Sequence, residues 1–334
     1  MSTAPPQPFT RHALLVFALV AFAIFLWKVG PVLLLGFAGI VMAAAVCAGA
    51  DPLEERFGMP RTAAVAVVFF SVLGLVVAAG YFFGREITDQ TDQLWAALTD
   101  ASQKIRERLA DWAPSSWLME YATGGEDPEA MTKALKGTVG FFGAIADTVL
   151  VIFLALYFAV DPRGYRRGFL HLVPKTWRGR VDRALLAAGD ALKNWLRGQA
   201  LAMLVVGVLT AAGLWLVGVP LAIPLGLLSG VLDFVPFIGP LVAAVPGLLV
   251  AFSQGEDVAL YALIVYLVVQ FVEGNIVLPM AQKWAVSLPP VLSLLGIVAF
   301  GLVFGPLGVL FAMPLTVVLV VLVQKLYIEK IDNP

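Results

Sequence analysis

Apolar residues in this chain fall into long runs separated by short charged stretches, and that pattern governs what the sequence can form. About 20 consecutive apolar residues cross the hydrocarbon core of a bilayer, so run length and absence of charge are the primary signal. Ala13–Trp27 is short on this measure, and Val29–Ala50 follows it after the single charge Lys28. Thr62–Gly84 is uninterrupted, and Thr138–Val160 carries one acid, Asp147. Further runs extend from Gln199 to Val217 and from Val258 to Val272. The pattern predicts an all-α polytopic membrane protein with about six full transmembrane helices, the first two paired as a helical hairpin. Arg11 and His12 ahead of an apolar stretch have the look of a signal peptide. A second run starts almost at once, however, so the N-terminus reads as retained.

Two further runs, Pro220–Phe252 and Leu288–Val323, are longer but broken in the middle. Within them PLGLLSGVLDFVPFIGPL (Pro224–Leu241) and PVLSLLGIVAFGLVFGPL (Pro290–Leu307) copy each other at a fixed offset of 66 residues. Pro224 pairs with Pro290, Gly230 with Gly296, Phe234 with Phe300, and Gly239-Pro240-Leu241 with Gly305-Pro306-Leu307. Proline removes a donor and disfavours helix in the residue before it, and glycine accepts conformations that other residues avoid. Pro236–Pro240 is therefore expected to be a true break, as are Gly305 and Pro306. Each half has about 14 to 16 residues, about 21–24 Å as helix, which is short for a crossing. Unpaired backbone at membrane depth is tolerated only inside protein or beside a water-filled cavity. Paired, interrupted segments of this kind point to a transporter's substrate site.

Charge supplies orientation. Asp161–Gly198 holds Arg163, Arg166, Arg167, Lys175, Arg178, Arg180, Arg183, Lys193 and Arg197 against three acids, and is expected to be cytoplasmic. Arg85–Lys136 has ten acids against six bases and is expected to be external. Counting spans from there places both termini in the cytoplasm. If the first broken run re-enters, the acidic Ser253–Asp257 lies outside and the Lys283 loop inside. The two runs then become re-entrant helical hairpins entering from opposite sides, an inverted repeat. Kinked full spans are the alternative. The organisation reads as N-terminal transmembrane helices (1–84), an external helical segment (85–137), a fourth transmembrane helix (138–160), a basic cytoplasmic loop with an interfacial amphipathic helix (161–198), and a transport core (199–334). In the external segment, Ile87, Leu94, Leu98, Ile105, Leu109 and Trp112 recur at helical spacing, as in a lid or an oligomer contact. In the basic loop, Val181, Leu185, Ala188, Leu192, Trp195 and Leu196 share one face of Arg180–Gln199, which suits a helix lying in the membrane interface.

Hydrophobic residues make up 60% of the chain and charged residues 13%, and with a net charge of -1 no basic field invites nucleic acid. The lone Cys47 excludes an internal disulfide or a CxxC pair, and two histidines leave no zinc or acid-base constellation, so an enzyme is not expected. No G-x-x-x-x-G-K-[ST] is present, so primary pumping by this chain is not expected either. No cofactor is expected, beyond coupling to H+ or Na+. Ionisable groups inside spans are costly and therefore functional candidates. Asp233 lies one turn before the first break, and Glu273 and Asn275 lie in the span between the breaks, with Gln270 one turn earlier. Carboxylates that move between buried and aqueous surroundings suit proton coupling. Asp147 is a third intramembrane acid, and Arg197 and Gln199 sit where the amphipathic helix enters span five.

WLRGQ (Trp195–Gln199), DFVPFIGP (Asp233–Pro240), QFVEGNIVLP (Gln270–Pro279) and the closing Leu302–Gly308 stretch resemble the autoinducer-2 exporter (AI-2E, PerM-like) family. The resemblance covers nearly the whole chain. It departs at Gly274, where many members carry a polar residue. It implies a bacterial inner-membrane transporter, a homo-oligomer in the lipid bilayer. Some members are linked to export of the quorum-sensing signal autoinducer-2, others to exchange of sodium or lithium for protons. Three readings follow: an exporter of a small polar solute working by alternating access, a Na+(Li+)/H+ antiporter, and a non-transporting scaffold or channel-like assembly.

Overall fold

The structure, a computed structural model, describes residues 8–74, 77, 146–282 and 289–328, and among them every regular element is helical. The external segment 85–137 and the Lys283 loop lie outside the described residues. Helix α1 spans Pro8–Phe57, α2 Arg61–Gly74 and α3 Ala146–Val160. Next come α4 (Pro162–His171), α5 (Lys175–Leu216), α6 (Ala222–Leu232), α7 (Ile238–Gln254) and α8 (Glu256–Val272). A π-helical turn, Glu273–Val277, leads into α9 (Leu278–Gln282). Helix α10 covers Pro290–Val323 and runs into a second π-helical turn, Gln324–Ile328. Four segments are long and apolar enough to cross a membrane: Lys28–Phe57, Lys175–Leu216, Glu256–Met280 and Val291–Ile328.

Two expectations are corrected here. Helix α1 passes through Lys28 and Pro31 without a turn, so the first two runs form one helix of 50 residues, about 75 Å long, rather than a hairpin. A single lysine marks a polar point, but it is a good helix former and supplies no turn chemistry. The count of spans loses one crossing as a result, and a cytoplasmic N-terminus no longer follows from it. The second correction concerns Arg180–Gln199. This segment is the first half of the 42-residue α5, and its apolar face packs into the protein instead of lying on a membrane surface. Ala188, Ala191, Leu192 and Trp195 are buried against Val41 and Ala44 of α1 and Val317 and Val321 of α10. An amphipathic pattern demands an apolar partner without saying whether that partner is lipid or protein.

Both broken runs fold back on themselves. Ala222 and Leu225 at the start of α6 share a buried cluster with Val250 and Ala251 near the end of α7, although a straight helix would hold Leu225 and Val250 about 38 Å apart. Within α10 the backbone leaves helical geometry at Gly305 (φ 65°, ψ −148°), a region that only glycine occupies readily. Pro306 then opens the second half, where its missing N–H costs nothing. Gly296 of the first half consequently lies against Thr316 of the second, so the length of Val291–Ile328 is spent on two antiparallel halves. The first break sits earlier than the Gly-Pro pair suggests. The chain turns over Asp233–Phe237, with Phe237 at φ 68°, and helix resumes at Ile238. Gly239 and Pro240 therefore fall in the first turn of α7, where proline is tolerated.

The two folded runs point opposite ways. Phe234, at the turn of the first, packs on Trp195 and on the cluster that contains Val317 and Val321, in the second half of α10. The first run's open end packs on Leu214 at the far end of α5 and on Ala262 of α8. The turn of the second run brings Phe304 against Gly30 of α1. Along α1, Gly30 is 11 residues from Val41, so the two turns are offset by about 17 Å along this helix. They do not meet at one point.

Small residues allow these close approaches. A side chain at Gly226 would meet Ala211 and the Gly207 carbonyl, and one at Gly230 would meet the Met203 carbonyl, so α6 lies flat against α5. At one end of the bundle, α1, α2, α3 and α5 are tied together through Arg61. Its guanidinium donates to Asp51 (2.6 Å), Glu54 (3.0 Å), the Ala159 carbonyl (3.1 Å) and Cys47 Sγ (2.9 Å). Lys193 Nζ donates to the other oxygen of Asp51 at 2.9 Å.

Candidate functional site

The turn of the first broken run delivers one acid into the protein. Asp233 ends α6 and its side chain is wholly buried, at 0% exposure. It does not cap the following helix, since the N-cap of α7 is Phe237 and makes no side-chain cap. Gln199 of α5 holds the turn in place: its Nε2 donates to the Asp233 backbone carbonyl at 2.7 Å and lies 3.5 Å from Oδ2. The Trp195 ring, one turn earlier on the same helix, meets Phe234 edge to face with centroids 5.8 Å apart. Trp195 and Gln199 are thus the two points of α5 that grip the turn.

The second acid arrives from α8. Glu273 opens the π-helical turn, and its carboxyl lies within hydrogen-bonding reach of Asp233. The wide turn has a local cause. Pro279 cannot donate a backbone bond and its ring crowds the carbonyl four residues back, that of Asn275. The helix answers by lengthening its bonds, and the Leu278 N–H reaches back five residues to the Glu273 carbonyl. Single π turns inserted in α-helices frequently mark functional sites. Gln270 Nε2 donates to Glu273 Oε2 at 2.9 Å, so each acid has its own glutamine. Among the described residues, Asp233 Oδ1 nevertheless has no donor despite being buried. Two carboxylates this close repel each other when both are charged, and a shared proton or a bridging cation relieves that repulsion.

The other sequence candidates take different places. Asn275 is exposed and donates to the Phe271 carbonyl one turn back at 2.9 Å. Arg197 is exposed, with its guanidinium near Asn194 (3.2 Å) and the Ala48 carbonyl (3.4 Å), away from both acids. Asp147 is exposed at the start of α3 and is not part of this site. Pro236, Gly239, Pro240, Gly305 and Pro306 shape the two turns. A Cβ at Gly239 would strike the Leu232 carbonyl, so that glycine is required by the tight approach behind Asp233. Gly274, beside Glu273, has open space around it. Sequence reasoning missed the Trp195–Phe234 contact and the Arg61–Asp51–Lys193 cluster. The visible signals were the aromatic next to the acid in Asp233-Phe234, and the charged residues on either side of the Gly58–Pro60 link.

The comparisons with known proteins agree with one another. The AI-2E family transporter pattern matches residues 15–328. The chain is 30% identical over 284 residues to "Putative transport protein YrrI" of Bacillus subtilis (strain 168), covering 79% of this chain and 78% of that one. It is 28% identical over 296 residues to "Putative transport protein MT0215" of Mycobacterium tuberculosis (strain CDC 1551 / Oshkosh), covering 85% of this chain and 79% of that one. It is also 23% identical over 286 residues to AI-2 transport protein TqsA of Escherichia coli (strain K12), covering 82% and 81%. With the family pattern extending over nearly its whole length and several apolar helices to cross a bilayer, this multi-pass chain belongs to the AI-2E family of transporters.

Proposed function

We propose that this chain is a secondary transporter that moves a small polar solute, such as the signal autoinducer-2, by alternating access across the bacterial inner membrane. The single observation that carries this reading is the meeting of Asp233, at a break in a membrane-embedded run, with Glu273 of the neighbouring helix. Broken helices beside ionisable side chains are the recurring binding-site architecture of such transporters. In this reading both folded runs are re-entrant, the first from outside and the second from the cytoplasm, and they move against a scaffold of α1 and α5. The end of the bundle bearing Arg61 and Lys193 faces the cytoplasm, in keeping with the charge of Asp161–Gly198, and so does the C-terminus. Substrate passes between the glutamine-supported acids and the apolar walls around them. The name of TqsA supports an autoinducer-2 cargo. A homo-oligomer belongs to the same reading.

A second reading, Na+(Li+)/H+ antiport, is favoured by the carboxyl pair itself, since a buried Asp233 oxygen without a donor beside a second carboxyl suits a proton or a small cation. Flux into proteoliposomes under imposed proton and sodium gradients separates the two. Solute export predicts autoinducer-2 movement with weak sensitivity to sodium, and antiport predicts sodium movement driven by a proton gradient without organic solute. Asp233→Asn and Glu273→Gln are each expected to abolish the flux that the wild type shows. Neutral replacements at Asp147, Asp233 and Glu273 that leave every flux intact would sink coupled transport altogether.

A further inference from the structure

The apolar face that the sequence assigned to a membrane surface is buried in the protein, but the ten-residue helix just before it has one that is not. Helix α4 has no buried residue. Tyr165, Phe169 and Leu172, spaced four and three apart along one stripe, are 48%, 52% and 83% exposed. Arg163, Arg167 and His171 form the opposite stripe. Arg166 turns toward α5 and pairs with Asp182 at 3.2 Å. The helix is anchored at both ends. Asp161 Oδ1 accepts from the Gly164 N–H at 2.8 Å at its start, and Arg178 donates to the His171 and Val173 carbonyls at its end. Tyr165 also stands edge-on to Phe158 of α3, with centroids 4.9 Å apart. An aromatic stripe has thus been fixed in orientation and left uncovered by the described residues.

We infer that α4 lies on the cytoplasmic bilayer surface, with Tyr165, Phe169 and Leu172 inserted at the acyl boundary and the surrounding bases binding anionic lipid headgroups. Charge complementarity selects the occupant. Between Asp161 and Arg180 the chain holds Arg163, Arg166, Arg167, Lys175, Arg178 and Arg180 against the single acid Asp161. Clusters of this kind beside a crossing helix are drawn to anionic lipid. Position agrees, because α4 starts two residues after α3 ends at Val160, where the chain leaves the hydrocarbon. A short helix with aromatics on one side and bases on the other has the composition of an interfacial helix. Trp177, whose ring lies 5.9 Å from the Arg180 guanidinium, adds an aromatic at the same level.

The test uses the full chain with Cys47→Ser, carrying either Phe169→Cys or Arg163→Cys labelled with a fluorophore. The protein is reconstituted in phosphatidylcholine vesicles with and without phosphatidylglycerol. Nitroxide placed on the lipid is expected to quench the label at 169 several-fold more than the label at 163, with iodide in the water showing the reverse order. Phosphatidylglycerol is expected to increase lipid quenching at 169, and adding Arg163→Gln with Arg167→Gln to the Phe169→Cys protein is expected to remove that increase. Equal quenching at the two positions overturns the proposal. A label at 169 shielded from both iodide and nitroxide also overturns it, since protein would then cover the stripe. Lipid quenching that ignores phosphatidylglycerol overturns the anionic recognition.

Discussion

At the scale of single residues, the site depends on groups that support the acids as much as on the acids. Gln199 is half-buried and supplies the close donor to the Asp233 carbonyl at 2.7 Å. Gln199→Leu leaves that acceptor without its partner, and a buried group so abandoned costs about 1–3 kcal/mol. A lower melting temperature of the purified protein in detergent is expected, together with loss of flux, and an unchanged melting temperature would count against the assignment. Glycines divide by backbone conformation. Gly305→Ala forces a side chain into φ 65°, ψ −148°, at a cost of about 1–3 kcal/mol. Gly274→Ala has open space around it and helical neighbours, so it is expected to be neutral or stabilising by up to about 1 kcal/mol. Thermal unfolding of the two variants side by side checks the contrast. Asp233, Glu273 and Gln270 were legible in the sequence because a polar group in an apolar run stands out. The part played by Asn275 was not, because its side chain turns back to the carbonyl of its own helix instead of toward the acids.

At the scale of elements, the sequence echo located both breaks but not their form. Gly239-Pro240 and Gly305-Pro306 occupy matching positions, yet the chain turns two residues before Gly239 in the first run and at Gly305 in the second. The first copy uses Phe237 at positive φ where the second uses glycine, and no residue-type rule anticipates a phenylalanine there. The fold-back has a direct chemical test. A Cβ built on Gly296 lies 3.6 Å from Thr316 Cβ, within the range a disulfide spans. Gly296→Cys with Thr316→Cys, in a Cys47→Ser background, is therefore expected to form an intramolecular disulfide on mild oxidation, detected by mass spectrometry after proteolysis. In an unbroken helix the two positions would be about 30 Å apart and no such bond could form. The amphipathic stretch 180–199 teaches the complementary lesson. Its pattern reads as a face for the membrane interface, but the partner that buries it is α1 with α10, which only the three-dimensional fold brings alongside.

At the scale of the whole molecule, the two folded runs point opposite ways, and the proposed re-entrant topology follows what the bilayer would then require of the links between them. The turn of the first run lies beside Trp195 and its open end beside Leu214, while the second run presents its later half to Trp195 and its turn to Gly30. An element that starts and ends on one side of the membrane leaves the links to its neighbours on that side. The link between α7 and α8, at Gly255, therefore belongs with the open end of the first run, on the side away from Arg61 and Lys193. In the re-entrant reading, helix α8 crosses back and delivers the chain to the start of α10 on the opposite side. Single cysteines at Gly255 and Lys283 in a Cys47→Ser background decide the matter in intact cells. A membrane-impermeant maleimide is expected to label Gly255→Cys from outside and to reach Lys283→Cys only after the membrane is opened. If each broken run instead crossed as a kinked span, Gly255→Cys would move to the cytoplasmic side and Lys283→Cys to the outside, reversing both results. In that event Asp233 and Glu273 would still touch, but the two runs could no longer exchange access between the two faces of the membrane as an inverted pair.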